Sequence, residues 1–350
     1  MSAVDVVIPC YNYARFLRRS VESALNQDGV SVRVLIIDDT SSDNTPEVGQ
    51  QLAADPRVEF RRHAVNQGHI KTYNEGLLGW ATAKYSLLLS ADDALAAGAL
   101  SRATSLMDEH ADVGMTYGMA QHIYEDGEPK PIRAPVQDEH QIVSGPTFLE
   151  RVCSVGNVVP TPTAVVRTGL QQKLGGYRAD LPHSGDMEMW MRFATQGSVG
   201  ITRSIQAYYR MHDASMSTRY YAAIIGDRRE QLQAATEIHQ RFGRDIQGFD
   251  AWLDGMRRRL GLEALWIAGD SFENGDVDSC RLALDCAGEL YPPILSSSAA
   301  WKLRLKRLLG ASTWKAVRPL ADRLRGINSS VSIAPIRPRA ELSGWWPTPS

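Results

Sequence analysis

Three short apolar runs near the start of the chain, residues 4–9, 32–37 and 85–90, are separated by stretches whose apolar residues recur at helical spacing. Strands buried on both faces and joined by crossover helices read this way, so the pattern predicts an α/β fold with a parallel sheet flanked by helices. A first helix is expected over residues 14–27, where Phe16, Leu17, Val21, Ala24 and Leu25 form one stripe and Gly29 follows. Ser42 or Asp43 can cap the next helix. A short strand is expected over 58–60, a helix over 70–83, and another helix carrying Leu100, Ala103, Leu106 and Met107.

Two of the three runs end on paired carboxylates, Asp38 with Asp39 and Asp92 with Asp93. Ligands of open α/β sheets sit beyond the C-terminal ends of the parallel strands, so two acidic pairs at two such ends mark a candidate site. One such pair can equally cap a helix or hold a turn; the signal is the repetition.

Composition excludes several classes. The 38 Lys and Arg nearly balance the 40 Asp and Glu, a net charge of -2, so no global basic field points to nucleic acid. The four cysteines have no zinc-ligand spacing, and a reducing compartment is expected. With no 18-residue apolar run and no secretory leader, the expected location is cytoplasmic. Beyond residue 118 the reading is coarser. Residues 119–143 are polar and read as an excursion or loop, 218–300 as helical, and 301–325 as a segment with eight Lys or Arg against one acid, interleaved with Trp and Leu. That mixture suits a peripheral membrane contact or a helix whose apolar residues pack on the protein body. The tail beyond Gly326 reads as irregular.

The segments Ile8-Pro9-Cys10-Tyr11-Asn12, Ile37-Asp38-Asp39-Thr40-Ser41-Ser42-Asp43, Asn66-Gln67-Gly68, Asn74-Glu75-Gly76, Ser90-Ala91-Asp92-Asp93, Gly175-Gly176-Tyr177, Gly185-Asp186-Met187-Glu188-Met189-Trp190 and Tyr209-Arg210-Met211-His212 follow one another as in family 2 glycosyltransferases. Over roughly residues 4–217 the chain resembles that family. The resemblance implies a GT-A fold with a mostly parallel central sheet. Residues 1–118 would bind a nucleotide-sugar and 119–217 an acceptor, followed by a helical subdomain (218–300) and a basic amphipathic segment with its tail (301–350).

It also implies an inverting transfer from a nucleoside-diphosphate sugar to a saccharide or lipid-linked saccharide acceptor in polysaccharide or glycolipid synthesis. Mn²⁺ or Mg²⁺ would stabilise the leaving diphosphate. On the matching positions, Asp93 and His212 would bind the metal and Asp92 the ribose or sugar hydroxyls. Asp39 would read the base, with Pro9 and Tyr11 packed at it; Tyr11 can equally be a core aromatic. An ionised carboxylate only accepts hydrogen bonds, so it selects the N–H edge of uracil, thymine or guanine over cytosine. Lys71 or His69 would approach the diphosphate, unless both are solvated surface residues. Asp186 would be the catalytic base, or the N-cap of the helix that follows, or both; capping would lower its pKa.

Two positions depart from the family pattern: Ser90 stands where a first acid is common, and Gly185 where a Glu precedes the base. Both keep open a sugar-nucleotide-binding protein without transferase activity. A nucleotidyltransferase would normally open with a Gly-rich basic phosphate loop, which residues 8–15 lack, and a dehydrogenase with Gly-X-Gly-X-X-Gly after the first strand.

Overall fold

The computed structural model describes residues 1–124, 127–129, 139–212, 221–310, 313–314, 316–317, 342–344 and 346. In chain order, β1 (Ser2–Cys10), α1 (Ala14–Leu25), β2 (Val30–Asp38), α2 (Thr45–Leu52), β3 (Val58–Arg62), α3 (His69–Asn74), β4 (Tyr85–Leu88), β5 (Ala94–Leu95) and α4 (Ala99–Glu109) alternate as the apolar pattern predicts. There follow β6 (Val113–Tyr124), β7 (His140–Val143), α5 (Gly145–Val155), β8 (Val165–Arg167), α6 (Thr168–Leu174), α7 (Gly185–Ala194) and β9 (Ser198–Met211). The chain continues through α8 (Tyr221–Ile238), α9 (Phe249–Glu273), α10 (Val277–Leu290) and α11 (Ser298–Leu309) to β10 (Leu342–Ser343).

The main path of the sheet runs β3-β2-β1-β4-β8-β6-β9-β5. Its first four strands are parallel, and β8 enters antiparallel to both of its neighbours. Because strand side chains alternate, each apolar run feeds two cores. Val6 and Ile8 of β1 pack with Val34 and Ile36 of β2 and with Leu17 and Val21 of α1, whereas Val7, Leu35 and Ile37 face the opposite core with Leu77. That second core continues through Met115, Phe148 and Trp190 to Phe249, Leu260 and Ala264 of α9 and Cys286 and Ala287 of α10. The C-terminal helices are therefore packed onto the same face as α5 and α7. Cys10 pairs with Asp38 in the β1–β2 register, so both strands deliver their following loops to one edge.

Three sequence expectations are corrected. Instead of one helix over 70–83, α3 gives way to a wider π-helical turn, Glu75–Trp80, whose Gly76 lies flush on β1: a Cβ there would sit 2.3 Å from Val7 Cγ1. The polar stretch from residue 119 is not a loop throughout, because β6 runs to Tyr124 with Met119, Ala120 and Ile123 buried beside β9. Tertiary pairing outweighs local composition there. The tail is not wholly irregular either. Leu342 and Ser343 pair with β6, and Trp346 is buried with its ring stacked on Phe148.

On α11, Ala300 and Leu303 face the core while Trp301, Leu305, Leu308 and Leu309 are exposed among Lys302, Arg304 and Arg307. Most of residues 314–325, the second half of the basic segment, lies outside the described residues. Among the described residues no helix is long and apolar enough to cross a membrane.

Candidate active site

The loops leaving β1 and β2 are locked together before any ligand is considered. Asn12 adopts φ 61° and Thr40 φ 67°, left-handed conformations that non-glycine residues rarely hold without support. Asn12 Oδ1 accepts from the Ser42 N–H at 2.8 Å, and the Asn12 N–H donates to Ser41 Oγ at 2.9 Å. Asp43 accepts from the Ala14 N–H at 3.0 Å and from the Thr45 N–H at 3.0 Å, so one carboxylate steadies the starts of both α1 and α2. The run Ser41-Ser42-Asp43 is thus framework, and it fixes the walls around Asp39.

A cavity of about 470 Å³ opens at this sheet edge, lined by Pro9, Tyr11, Asp39, His69, Tyr73, Ser90, Asp92, Asp93 and Tyr209 among others. Tyr11 is 50% exposed on its rim, which excludes the core-aromatic reading. Asp39 is only 4% exposed. Its Oδ1 accepts from the Gln67 N–H at 2.8 Å and from His63 Nδ1 at 2.7 Å, and its Oδ2 from the Gly68 N–H at 2.9 Å. Gly68 reaches that position at φ 82°, which explains the Asn66-Gln67-Gly68 segment. Lys71 is a correction: it stands exposed on α3 outside the cavity wall, and His69, one turn-face away, lines it instead.

The second acidic pair divides its work. Asp92 Oδ2 lies 3.0 Å from His212 Nε2, joining the end of β4 to the residue after β9. Asp93 is 3% exposed, and its Oδ1 accepts from the Arg210 N–H at 2.8 Å, while Arg210 Nε donates to the Asp92 carbonyl at 3.0 Å. Burial, reinforced by the neighbouring Asp92, pushes the Asp93 carboxyl well above the usual range. His212 thus meets Asp92 directly, while the backbone N–H of Arg210 in β9 donates to Asp93. The imidazole edge rests against Tyr13 and the ring tilts over Phe16, so α1 sets its orientation.

Among the described residues no three His, Cys, Asp or Glu side chains converge as a metal cluster. Divalent ions that act on phosphates commonly take one or two protein ligands and draw the rest from substrate and water. Asp92 lines the cavity and His212 lies against it, a carboxylate and an imidazole of the kinds that can hold such an ion.

Asp186 comes from the other side. The N-cap of α7 is Ser184 and the helix begins at Gly185, so Asp186 lies in the first turn and not at the cap. Its Oδ1 accepts from the Met187 N–H at 2.6 Å; its Oδ2 accepts from Asn157 Nδ2 at 2.9 Å and Thr161 Oγ at 3.2 Å. Burial outweighs these bonds and raises its pKa to about 6, opposite to the lowering expected of a capping role. Glu188 turns away into a buried pair with Arg192, whose guanidinium also donates to the Leu174 and Gly176 carbonyls.

Tyr73 lies between the two acidic centres: burial first, then Asp92 and Asp186, raise its phenol pKa, and its ring packs edge-on against Tyr177 at 5.6 Å. Asn74 joins the same two segments. Asn74 Nδ2 donates to the Tyr177 carbonyl at 2.8 Å, and the Tyr177 N–H donates to Asn74 Oδ1 at 2.6 Å. A Cβ at Gly176 would fall 2.2 Å from that Oδ1, so Asn74-Glu75-Gly76 and Gly175-Gly176-Tyr177 are two halves of one joint. Sequence reading noted both segments without their contact, and it missed His63 and Tyr73 as site residues, since lone His and Tyr residues carry no motif.

Residues 5–167 match the family model described as Glycosyl transferase family 2. The chain carries a family 2 glycosyltransferase domain. The domain is similar to the succinoglycan biosynthesis protein ExoO of Rhizobium meliloti (strain 1021), 37% identical over 109 residues, which is 31% of this chain and 30% of that protein. The matched stretch thus spans under a third of that relative. In solved structures, the glycosyltransferase domain and its helices resemble S. aureus TarS 1-349 bound to UDP-GlcNAc. There the TM-score is 0.53 and identity 18%, over 81% of this chain and 91% of that one. They also resemble the Pyrobaculum calidifontis mannosyltransferase PcManGT with GDP-Man and Mn²⁺, TM-score 0.51 and 19% identity over 93% and 88% of the two chains. At these identities the likeness establishes the fold, a GT-A arrangement of curled mixed sheet and flanking helices.

Proposed function

We propose that this glycosyltransferase moves a sugar, with inversion, from a uridine-, thymidine- or guanosine-diphosphate donor to a hydroxyl of a saccharide or lipid-linked saccharide. The setting would be surface polysaccharide or glycolipid synthesis at the cytoplasmic side of the membrane. The observation that carries this reading is the convergence of Asp39, Asp92, Asp93 and Tyr209 in one cavity, with His212 against Asp92. The donors bound by the two structural neighbours, UDP-GlcNAc and GDP-Man, both have the base N–H edge that a carboxylate selects.

In this reading residues 1–118 hold the nucleotide, 119–217 the acceptor, and the helices of 218–300 buttress the acceptor side. Asp39 accepts from the base and Tyr11 covers it. Asp92 and His212 hold a divalent ion, with Asp93 fixing the turn beneath them. Bound there, Mn²⁺ or Mg²⁺ would neutralise charge on the departing diphosphate. Asp186 takes the acceptor proton: a carboxylate with a pKa of about 6 is ionised at neutral pH yet more basic than an ordinary Asp. Asn157 and Thr161 aim that carboxylate. The exposed Trp301, Leu305 and Leu308 beside Lys302, Arg304 and Arg307 form the proposed contact with an anionic bilayer.

Release of nucleoside diphosphate from UDP-GlcNAc, dTDP-glucose and GDP-mannose, with and without Mn²⁺, tests the donor reading. Metal-dependent release from one of them is expected; pyrophosphate as product would instead indicate a nucleotidyltransferase, and no binding of any donor would remove the site. Flotation with phosphatidylserine-containing vesicles tests the membrane contact, which is lost if Leu305→Glu/Leu308→Glu floats as the parent does.

A further inference from the structure

His63 is the last residue before the Asn66 loop and carries none of the roles assigned above. It is 8% exposed, and both ring nitrogens face carboxylates: Nδ1 lies 2.7 Å from Asp39 Oδ1 and Nε2 lies 2.9 Å from Glu75 Oε2. A neutral imidazole has one N–H and one lone pair, so between two carboxylates it would set a lone pair against an oxygen on one side. Only the imidazolium donates to both. The backbone tightens the arrangement, since the His63 N–H donates to the Asp38 carbonyl at 2.9 Å and the His63 carbonyl accepts from Thr40 Oγ at 3.0 Å. His63 is thus tied at backbone and side chain to the turn that carries Asp39.

We propose that His63, held as an imidazolium between Asp39 and Glu75, is the positioning residue that fixes the base-reading carboxylate, and that its deprotonation weakens nucleotide binding. Asp39 Oδ1 is occupied by His63 and Gln67, and among the described residues Oδ2 takes a single protein donor, the Gly68 N–H, which leaves Oδ2 the oxygen to accept from a base N–H. When the imidazolium loses its proton, one of its carboxylate contacts loses its donor and Asp39 is no longer pinned against the β3 side. The other charged and titratable groups around the ring are Asp38 from β2, Arg61 and Arg62 from β3, and His69 from α3. Arg61 lies 3.5 Å from Glu75 and Arg62 3.4 Å from Asp38, so the guanidiniums engage the acids and leave His63 between Asp39 and Glu75. Burial opposes the charged ring, but the two carboxylates outweigh it and raise the His63 pKa. The sign follows: the clamp is complete below the ordinary imidazole range and is lost as pH rises through the raised value.

This inference rests on the donor-site reading, and the experiment separates the two. On the full-length chain, the His63 imidazole resonance, assigned by its absence in His63→Gln, is followed with pH without ligand. UDP and GDP binding with Mn²⁺ is then measured by calorimetry from pH 6.5 to 8.5. His63 is expected to titrate above free imidazole. Wild-type affinity should fall roughly tenfold across its titration, the worth of one charge-assisted hydrogen bond. His63→Gln should bind more weakly at pH 6.5 with a flat profile, and Glu75→Gln should move the fall to lower pH. A resonance titrating at or below the ordinary range, or parallel pH profiles in wild type and His63→Gln, overturns the inference while leaving a working nucleotide site. Absence of UDP and GDP binding at every pH defeats the donor reading itself and this inference with it.

Discussion

The surroundings of Asp39 and Asp186 differ in the donors that meet each carboxylate, and the proposed roles of base reader and proton acceptor rest on that difference. Asp39 sits among two backbone N–H groups and an imidazole, all from the segment between β3 and α3. Asp186 has two neutral side-chain donors, Asn157 and Thr161, and one N–H of its own helix, and burial lifts it to about 6. Fixed N–H groups hold the Asp39 carboxylate still, whereas burial raises the proton affinity of Asp186.

The sharpest way to break that comparison is Asp186→Asn. Asparagine keeps the shape but cannot take a proton, so turnover should fall about 10²–10⁴-fold while nucleoside-diphosphate affinity stays within about twofold, by steady-state kinetics beside calorimetry. Asp92→Asn should act on the other side. The Mn²⁺-dependent rise in thermal stability with UDP or GDP should vanish and turnover fall roughly 10²–10³-fold, whereas Asp93→Asn, which removes a buried acid yet still offers an oxygen to the Arg210 N–H, should leave stability equal or higher.

Asn74→Ala tests the joint between the two sides. It leaves the Tyr177 N–H and carbonyl without their partner, and a cost of about 1–3 kcal/mol is expected in urea unfolding. The smallest effect is a slope. If Asp186 is the base, kcat/KM should drop about tenfold per unit as pH falls below about 6, and the drop should be absent from the residual activity of Asp186→Asn.

Legibility in the sequence followed the range of the interactions. The strands, α1 and both acidic pairs were readable because apolar period and strand-end chemistry are local. The division between Asp92 and Asp93 was not, since it depends on Arg210 and His212 arriving from β9. Nor was the Asp186 pKa: local sequence suggests a helix cap that lowers it, whereas the cap is Ser184 and the burial that raises it comes from the surrounding fold. The polar run after residue 119 became strand because β9 supplied a ladder, and residues 342–343 joined β6 across more than two hundred residues of chain.

By itself the sequence determined β1 to β4 and α1, which carboxylates stand at the sheet's C-terminal edge, and the family the chain resembles, because each follows from residues close together in the chain. The tertiary structure alone decided which acid meets His212, that Asn74 and Tyr177 close onto each other, and that His63 lies between two carboxylates. Those outcomes depend on distances and burial created only when remote segments pack, and electrostatics responds to that packing more than to the order of the residues.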